Sequence, residues 1–217
     1  IWIFIVPFVA VNTCLILITQ FQELFPNQED IIHNTIPYFD GGASISRTAR
    51  PYPSWLVFKP AMLLTSFLLI KYWLFNKAIA SSFEKNHKYI NKFVYFGIAS
   101  AIALTVHSIF LGIKFDNDFY KLFRRVVMLM FIIFEIVAQC LLVISIYKMK
   151  EKMEQFINRK ILILKIILVT VLTITAFVSI PFLASSGYAH FKHALEWNYF
   201  IGVILFYLLS FLFWKKG

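Results

Sequence analysis

Charged residues are scarce in this chain of 217 residues, where Asp, Glu, Lys and Arg together make up 15%. Soluble domains contain roughly a quarter of such residues. Hydrophobic residues reach 60%, aromatic residues 18%, and the mean hydropathy is +0.75. A soluble domain of this length has too little interior for so much apolar surface, and a disordered chain has the opposite composition. The composition excludes both classes and predicts an integral membrane protein.

Cysteine is also scarce, and the common nucleotide-binding and hydrolase motifs are missing from the sequence. Cys14 and Cys140 are the two cysteines, and both lie within apolar runs, so no disulfide framework is expected. The sequence contains no Gly-x-Ser-x-Gly, P-loop or Rossmann fingerprint. The net charge of +10 comes from short basic clusters between apolar runs, which is typical of membrane proteins. No nucleic-acid partner is predicted, and no cofactor.

Six apolar stretches are long enough to cross a bilayer, which takes about 20 residues of helix. They predict an all-α fold, a single transmembrane bundle over residues 1–217. The first stretch has no basic n-region or cleavage site and is interpreted as a retained span rather than a signal peptide. Because it starts at Ile1 without a methionine, we expect further residues before it. The predicted spans are 1–22, 54–75, 92–113, 122–147, 160–180 and 194–214, and the long outer loop is 23–53.

The distribution of Lys and Arg predicts the orientation of these spans. The connections 71–92 and 148–160 carry five each, and with Lys215 and Lys216 the total on that side is twelve. The opposite side has seven, matched by seven acidic residues. The positive-inside rule therefore predicts that both termini are cytoplasmic. Which membrane houses the protein is not indicated.

Amphipathic side chains near the predicted span ends mark the membrane boundaries. Lys59 and Lys165 lie one or two turns inside their spans, close enough for their ammonium groups to reach the head groups. Tryptophan prefers the same depth. We therefore expect four tryptophans at the boundaries: Trp55, Trp73, Trp197 and Trp214.

Polar residues of the outer side form a candidate ligand-binding site. Gly41-Gly42 and the later Pro51-Tyr52-Pro53 suit a loop that folds over the bundle and presents Asp40, Arg47 and Arg50. The alternative is an ordinary ordered loop with an Asp–Arg pair. Two further arginines, Arg124 and Arg125, can clamp a phosphate or simply anchor the end of their helix.

Ionisable side chains inside the spans are expensive and therefore informative. Glu135 lies near the middle of the fourth span, Gln139 follows one turn later, and His107 lies in the third span. We predict a hydrogen bond from Glu135 to His107 or to Gln139. Such a bond either holds helices together or serves a role in lipid head-group contact or proton handling.

The start of the sixth span carries His190, His193 and Glu196 at three-residue spacing, near one helix face. Histidine with carboxylate can ligate zinc, but the usual helical His-x3-His pair and HExxH are missing, so no metal site is predicted and His190 and His193 remain weak candidates. An interfacial polar cap is the alternative. The catalytic candidates are His193, Glu196, His107 and Glu135.

The order of these features resembles a known family. It joins six spans and cytoplasmic ends with a first outer loop reading Ile36-Pro37-Tyr38-Phe39-Asp40-Gly41-Gly42, and with a last span entered through His193-Ala194-Leu195-Glu196-Trp197. This resembles the family that groups damage-regulated autophagy modulators (DRAM) with the Frag and Sfk membrane proteins. Arg124-Arg125 stand where family members tend to have a histidine. The resemblance implies a bundle that acts on lipid head groups at the outer leaflet.

Three functional hypotheses follow. The first is a protein that binds or helps remodel a phospholipid or glycolipid at the outer or luminal leaflet, with Arg124 and Arg125 holding phosphate. The second is an intramembrane acyl-transfer or hydrolytic enzyme that uses His193 as base, or a metal held by His190, His193 and Asp40. The third is a noncatalytic subunit of a larger complex, docked through the small residues Gly97, Ala99, Ala101 and Ala103.

Overall fold

Helices provide the regular secondary structure of the computed structural model, and the residues that it describes contain no β-strand. The described residues are 1–84, 88–113, 117–185 and 187–215, without the side chains of Lys121, Leu183 and Ala184. Six helices are long and apolar enough to cross a membrane, which confirms the all-α class and indicates a multi-pass membrane protein. Four residues of the charge count lie outside the described residues: Lys85, Lys114, Asp116 and Lys216.

The spans are α1 and α3 to α7, and several extend beyond their apolar cores. The N-caps of α5 and α6 are Asn117 and Asn158, whose side-chain oxygens accept backbone N–H groups of the first turn. The short helix α2 lies in the long loop. The helices are α1 Trp2–Gln20, α2 Ile45–Ala49, α3 Ser54–Phe83, α4 Ile90–Phe110, α5 Asp118–Lys148, α6 Arg159–Ala184 and α7 Ala189–Phe213.

The six spans pack as a closed ring. Helix α3 contacts α1 and α4, α5 contacts α4 and α6, and α7 contacts α6 and also returns to α1. Within this ring α4 is the most enclosed span and α6 the least. Leucine, isoleucine and phenylalanine side chains on the outer surface remain exposed, as expected where hydrocarbon is the solvent.

One end of the ring is covered by the long connection between α1 and α3. Its side chains Phe25, Ile32 and Ala43 pack against the end of α1 in a small second core. The N-cap of α2 is Ser44, whose hydroxyl accepts the N–H of Arg47 at 3.2 Å. Because neighbouring spans run antiparallel, the α4–α5 and α6–α7 connections lie at this same end. We call it the rim.

Trp73 and Trp197 are fully buried in the core, so their rings face protein. Their placement at a membrane boundary stays a prediction. Two other expectations about individual side chains are wrong. Lys165 does not reach the head groups: it is 1% exposed, because its amine bonds Ser210 inside the bundle. The small residues of α4 do not form a lipid-facing stripe, since Gly97 packs directly on the indole of Trp73.

Candidate functional site

The loop segment 38–43 is held at the rim by side chains from one face of α7. His190 Nδ1 lies 3.1 Å from the carbonyl oxygen of Asp40, and His193 Nδ1 lies 3.0 Å from that of Gly41. A turn-rich loop has few backbone partners of its own, so these bonds satisfy carbonyl groups that the fold would otherwise leave unpaired. We call the four contacting residues the docking face: His190, His193, Trp197 and Asn198.

The other two members of the docking face complete the row. Trp197 Nε1 donates to the carbonyl of Ala43 at 2.8 Å, and Asn198 Nδ2 donates to that of Tyr38 at 2.8 Å. The ring of Tyr38 also packs edge-on against Trp197, with the centroids 4.9 Å apart. Direct hydrogen bonds between α7 and the loop therefore hold this part of the rim together.

Asp40 closes the loop from within. Its Oδ1 accepts Thr35 Oγ1 at 2.7 Å and the N–H of Gly42 at 2.8 Å, and its Oδ2 accepts the N–H of Ile36 at 2.8 Å. The hydrogen bond from Thr35, followed by that from Gly42, lowers the pKa of the exposed Asp40 carboxyl. Both carboxylate oxygens are therefore engaged by the loop.

The docking contacts determine which ring nitrogen of each histidine faces the loop. A carbonyl oxygen only accepts, so each Nδ1 donates a hydrogen in these contacts. Glu196, one turn after His193, accepts the backbone N–H groups of Ile45 and Ser46 at the start of α2. Among the described residues no three His, Cys, Asp or Glu side chains are placed to hold a metal ion. The set of His190, His193 and Asp40 is thus not assembled as a three-ligand site.

Arg50, Arg124 and His107 form a second group at the rim, which we call the arginine cluster. The backbone of Arg50 lies against Gly112 just after α4, where an added Cβ would be 3.2 Å from the Arg50 carbonyl oxygen. His107 lies within electrostatic range of both arginines. Partial burial, followed by the positive charge of Arg124, lowers the pKa of Arg50, while the nearby charge of Asp30 acts in the opposite direction. The cluster therefore brings two like charges together.

Two nitrogen atoms of the arginine cluster are buried without a hydrogen-bond partner among the described residues: Arg124 Nε and His107 Nδ1. Leaving such atoms unsatisfied costs about 1–3 kcal/mol each, and more for a charged group. The guanidinium of Arg124 does pack over the ring of Tyr120, 5.9 Å from its centroid. Of the other predicted phosphate ligands, Arg47 and Arg125 are exposed, and Arg50 is also exposed although it lies within electrostatic range of Arg124.

Glu135 is completely enclosed at the centre of the bundle. Ser100 Oγ lies 2.6 Å from its Oε2, and Gln139 Nε2 donates to its Oε1 at 3.0 Å. The hydroxyl of Tyr207 also donates to Oε1. We call these four residues the Glu135 cluster. The predicted bond to Gln139 is confirmed, whereas the bond to His107 is not formed, because His107 lies two turns from Ser100 towards the rim.

A second polar group lies next to the Glu135 cluster, towards the end of the bundle opposite the rim. Ser210 Oγ accepts Lys165 Nζ and lies near Tyr72 OH, both at 2.9 Å, and the rings of Tyr72 and Tyr207 pack edge-on. The amine of Lys165 also lies over the ring of Phe206, 4.1 Å from its centroid. Aromatic faces and one hydroxyl thus replace water around this amine.

Sequence reasoning missed Ser100 and Tyr207 as partners of Glu135, and Tyr72 as a neighbour of Lys165 through Ser210. Ser100 had a detectable signal, since it precedes His107 by seven residues and so shares its face of α4. The tyrosines had none, because an aromatic residue in an apolar span is ordinary.

Comparison of the chain with protein-family models, with curated proteins and with solved structures finds no match. The resemblance to the DRAM, Frag and Sfk proteins therefore stays a prediction. The described residues form a multi-pass membrane architecture with six candidate spans. Their polar side chains form four groups: the docked loop, the arginine cluster, the Glu135 cluster and the group of Lys165, Ser210 and Tyr72.

Proposed function

We propose that this protein binds the phosphate of a membrane lipid head group at the rim, through Arg50 and Arg124 with His107 beside them. In this proposal the termini are cytoplasmic and the rim faces the outer or luminal leaflet, as the distribution of basic residues predicts. The lipid tails lie along the apolar outer surface of the helices. Remodelling of the bound lipid is the wider role that the family resemblance implies.

The observation that carries the proposal is the unsatisfied Arg124 Nε, buried beside a second arginine. An arginine fork matches phosphate oxygens bidentately, and a dianionic or monoanionic phosphate compensates two adjacent positive charges. The same ligand offers an acceptor to His107 Nδ1 in the tautomer that carries its hydrogen there. A ligand of this kind supplies the partner that the described residues do not.

The depth of the arginine cluster fits a head group. Arg124 is six residues into α5 and His107 three residues before the end of α4. At a rise of 1.5 Å per residue these positions lie about 5–9 Å inside the helix ends. A lipid phosphate that sits at the membrane surface can be reached from there by side chains of this length.

The test is lipid binding by purified protein, measured by native mass spectrometry with two probes that have identical short acyl chains. Phosphatidic acid carries the phosphate and diacylglycerol lacks it. Wild-type protein is expected to retain phosphatidic acid and not diacylglycerol. Arg124→Ala is expected to lower phosphatidic acid binding at least tenfold, which corresponds to about 1.4 kcal/mol. Inorganic phosphate is the third probe, because competition by it at similar concentrations would assign the site to a free phosphate.

Arg125→Ala is the matched control, because Arg125 is adjacent in sequence but exposed. It is expected to bind phosphatidic acid within about twofold of wild type, as exposed charges contribute little. Equal losses in both variants would indicate general surface electrostatics. Unchanged binding in Arg124→Ala would remove the proposed role of the arginine cluster.

A further inference from the structure

The Glu135 cluster contains one hydroxyl that makes two close contacts with acceptor oxygens. Ser100 Oγ lies 2.8 Å from the carbonyl oxygen of Gly97 and 2.6 Å from Glu135 Oε2. A serine hydroxyl has a single hydrogen and cannot donate to both oxygens. Both contacts are hydrogen bonds only if Glu135 Oε2 carries a hydrogen and donates it to Ser100, which then donates to Gly97.

The second carboxyl oxygen is supplied with donors from two other residues. The Gln139 amide nitrogen lies 3.3 Å from the carbonyl oxygen of Val203, which only accepts, so this contact fixes which end of the amide faces Glu135. Gln139 therefore donates to Glu135 Oε1, as does the hydroxyl of Tyr207. With two donors on Oε1, the acidic hydrogen belongs on Oε2.

We propose that Glu135 is a reversible proton-binding site at the centre of the bundle, a neutral carboxylic acid in the arrangement described here. The arrangement also provides for release. When the O–H bond of the acid breaks, its electron pair stays on the carboxylate and the proton passes to water. The Ser100 hydroxyl then rotates its hydrogen from Gly97 to Oε2. The carboxylate then accepts hydrogen bonds from Ser100, Gln139 and Tyr207, and Gly97 stays part of helix α4.

The titratable groups around Glu135 come from several helices. From α7 it faces Tyr207, and from α3 Tyr72 packs on that tyrosine. From α6 the amine of Lys165 is joined to Tyr72 through Ser210. From α4 the contact is Ser100, with His107 two turns away. Proton release therefore places a negative charge in a setting where Lys165 lies on the far side of the rings of Tyr72 and Tyr207.

Infrared spectroscopy of the wild-type protein in lipid nanodiscs tests the proposal without any added ligand. The C=O stretching band of a protonated carboxylic acid is separate from the carboxylate bands and shifts in D2O. We expect such a band at neutral pH, its reversible loss at alkaline pH, and its absence in Glu135→Gln. Glutamine has the shape of the neutral acid, so this variant is expected to fold.

Two controls make the assignment specific. Glu196→Gln changes the acid near the rim end of α7, so any acid band that it removes belongs to Glu196, and the Glu135 band is expected to remain. Ser100→Ala removes the acceptor and is expected to shift the band to higher frequency, whereas Ser108→Ala, at another buried serine of α4, is not. Carboxyl carbon signals of protein labelled with ¹³C-glutamate give the same titration by NMR without any substitution.

A wild-type spectrum without the acid band at neutral pH would overturn the proposal. So would a band that persists in Glu135→Gln, since another carboxyl would then carry the proton. A band that no alkaline pH removes before unfolding would overturn the reversible part. None of these outcomes depends on lipid binding by the arginine cluster.

Discussion

The two halves of the rim handle polar groups in opposite ways. In the half formed by the loop and α7, the carbonyl oxygens of Tyr38, Asp40, Gly41 and Ala43 each have a side-chain partner on the docking face. In the arginine cluster, two buried nitrogen atoms have none among the described residues. Both halves are built from similar residue types at the same end of the bundle.

The difference separates polar side chains that maintain structure from those that await a ligand. A histidine or tryptophan that saturates a backbone carbonyl is already used, and its loss should appear as lost stability. An arginine with unsatisfied hydrogen-bonding capacity beside a like charge contributes little to stability, and its loss should appear in binding. Three predictions set these two expectations against each other.

The largest effect is expected for Gly41→Ala, which breaks the docked half. Gly41 has a φ of +62°, and an added Cβ would lie 1.7 Å from the backbone oxygen of His190. The left-handed backbone conformation and the contact with His190 both disfavour the added methyl group. We therefore expect a loss of about 3 kcal/mol or more in the free energy of unfolding, with detachment of the loop from α7. Thermal unfolding and hydrogen exchange of the loop amides measure it.

Gly187→Ala is the control for that substitution, because no atom lies within 4 Å of the Cβ it would add. It is expected to unfold within about 0.5 kcal/mol of wild type. If Gly41→Ala were equally harmless, the loop would not be docked on α7 as described.

A smaller effect, and of opposite sign, is expected for Arg124→Met in protein stripped of lipid. The substitution removes one of two adjacent positive charges and an unsatisfied buried nitrogen while keeping an apolar stem. We expect the free energy of unfolding to be unchanged or raised, by up to about 1 kcal/mol. Arg125→Met, at the exposed neighbour, should stay at the wild-type value. A clear loss of stability in Arg124→Met alone would mean that the cluster is structural and would erase the contrast between the two halves.

The smallest effect is the pH dependence of the docked loop. The pKa of Asp40 is lowered in the folded protein, chiefly by the hydrogen bond from Thr35. Its contribution to stability is therefore complete above the ordinary carboxyl range and is lost as the pH falls through the lowered value. Amide exchange at Gly42, which donates to Asp40, should accelerate over that acidic interval.

Asp40→Asn should abolish this acid-dependent acceleration, whereas Glu29→Gln, at an exposed acid of the same connection, should retain it. Acceleration that is identical in wild type and Asp40→Asn would assign the effect to another carboxyl.

The membrane-spanning segments could be predicted from sequence because hydrocarbon imposes a simple requirement on composition and length. The ends of the helices could not be predicted in the same way. Helix α3 runs to Phe83, eight residues past the predicted limit, since the backbone stays helical after the apolar run stops. Burial of a tryptophan could not be predicted either, because the general preference for the membrane boundary does not say which way the ring faces. Trp73 packs inside the bundle, where Gly97 makes room for its indole.

The candidate site was predicted as one group and is found as separate clusters. The spans that carry its residues could be ordered along the membrane, so their common location at the rim was foreseeable. Which side chains meet there depends on helix rotation and on the course of the loop. For that reason Asp40 turns to Thr35 and not to an arginine, and Lys165 turns inwards to Ser210.

Docking of the loop on α7 has a consequence for biosynthesis. The carbonyl groups of 38–43 emerge from the ribosome about 150 residues before their partners, His190 and His193, so they must wait while four further helices are inserted. The rim is therefore completed only when α7 closes the ring against α1. Premature termination before α7 would leave a chain that is largely integrated in the bilayer but whose loop 38–43 has no docking partner. Quality-control proteases and chaperones can recognise such a form.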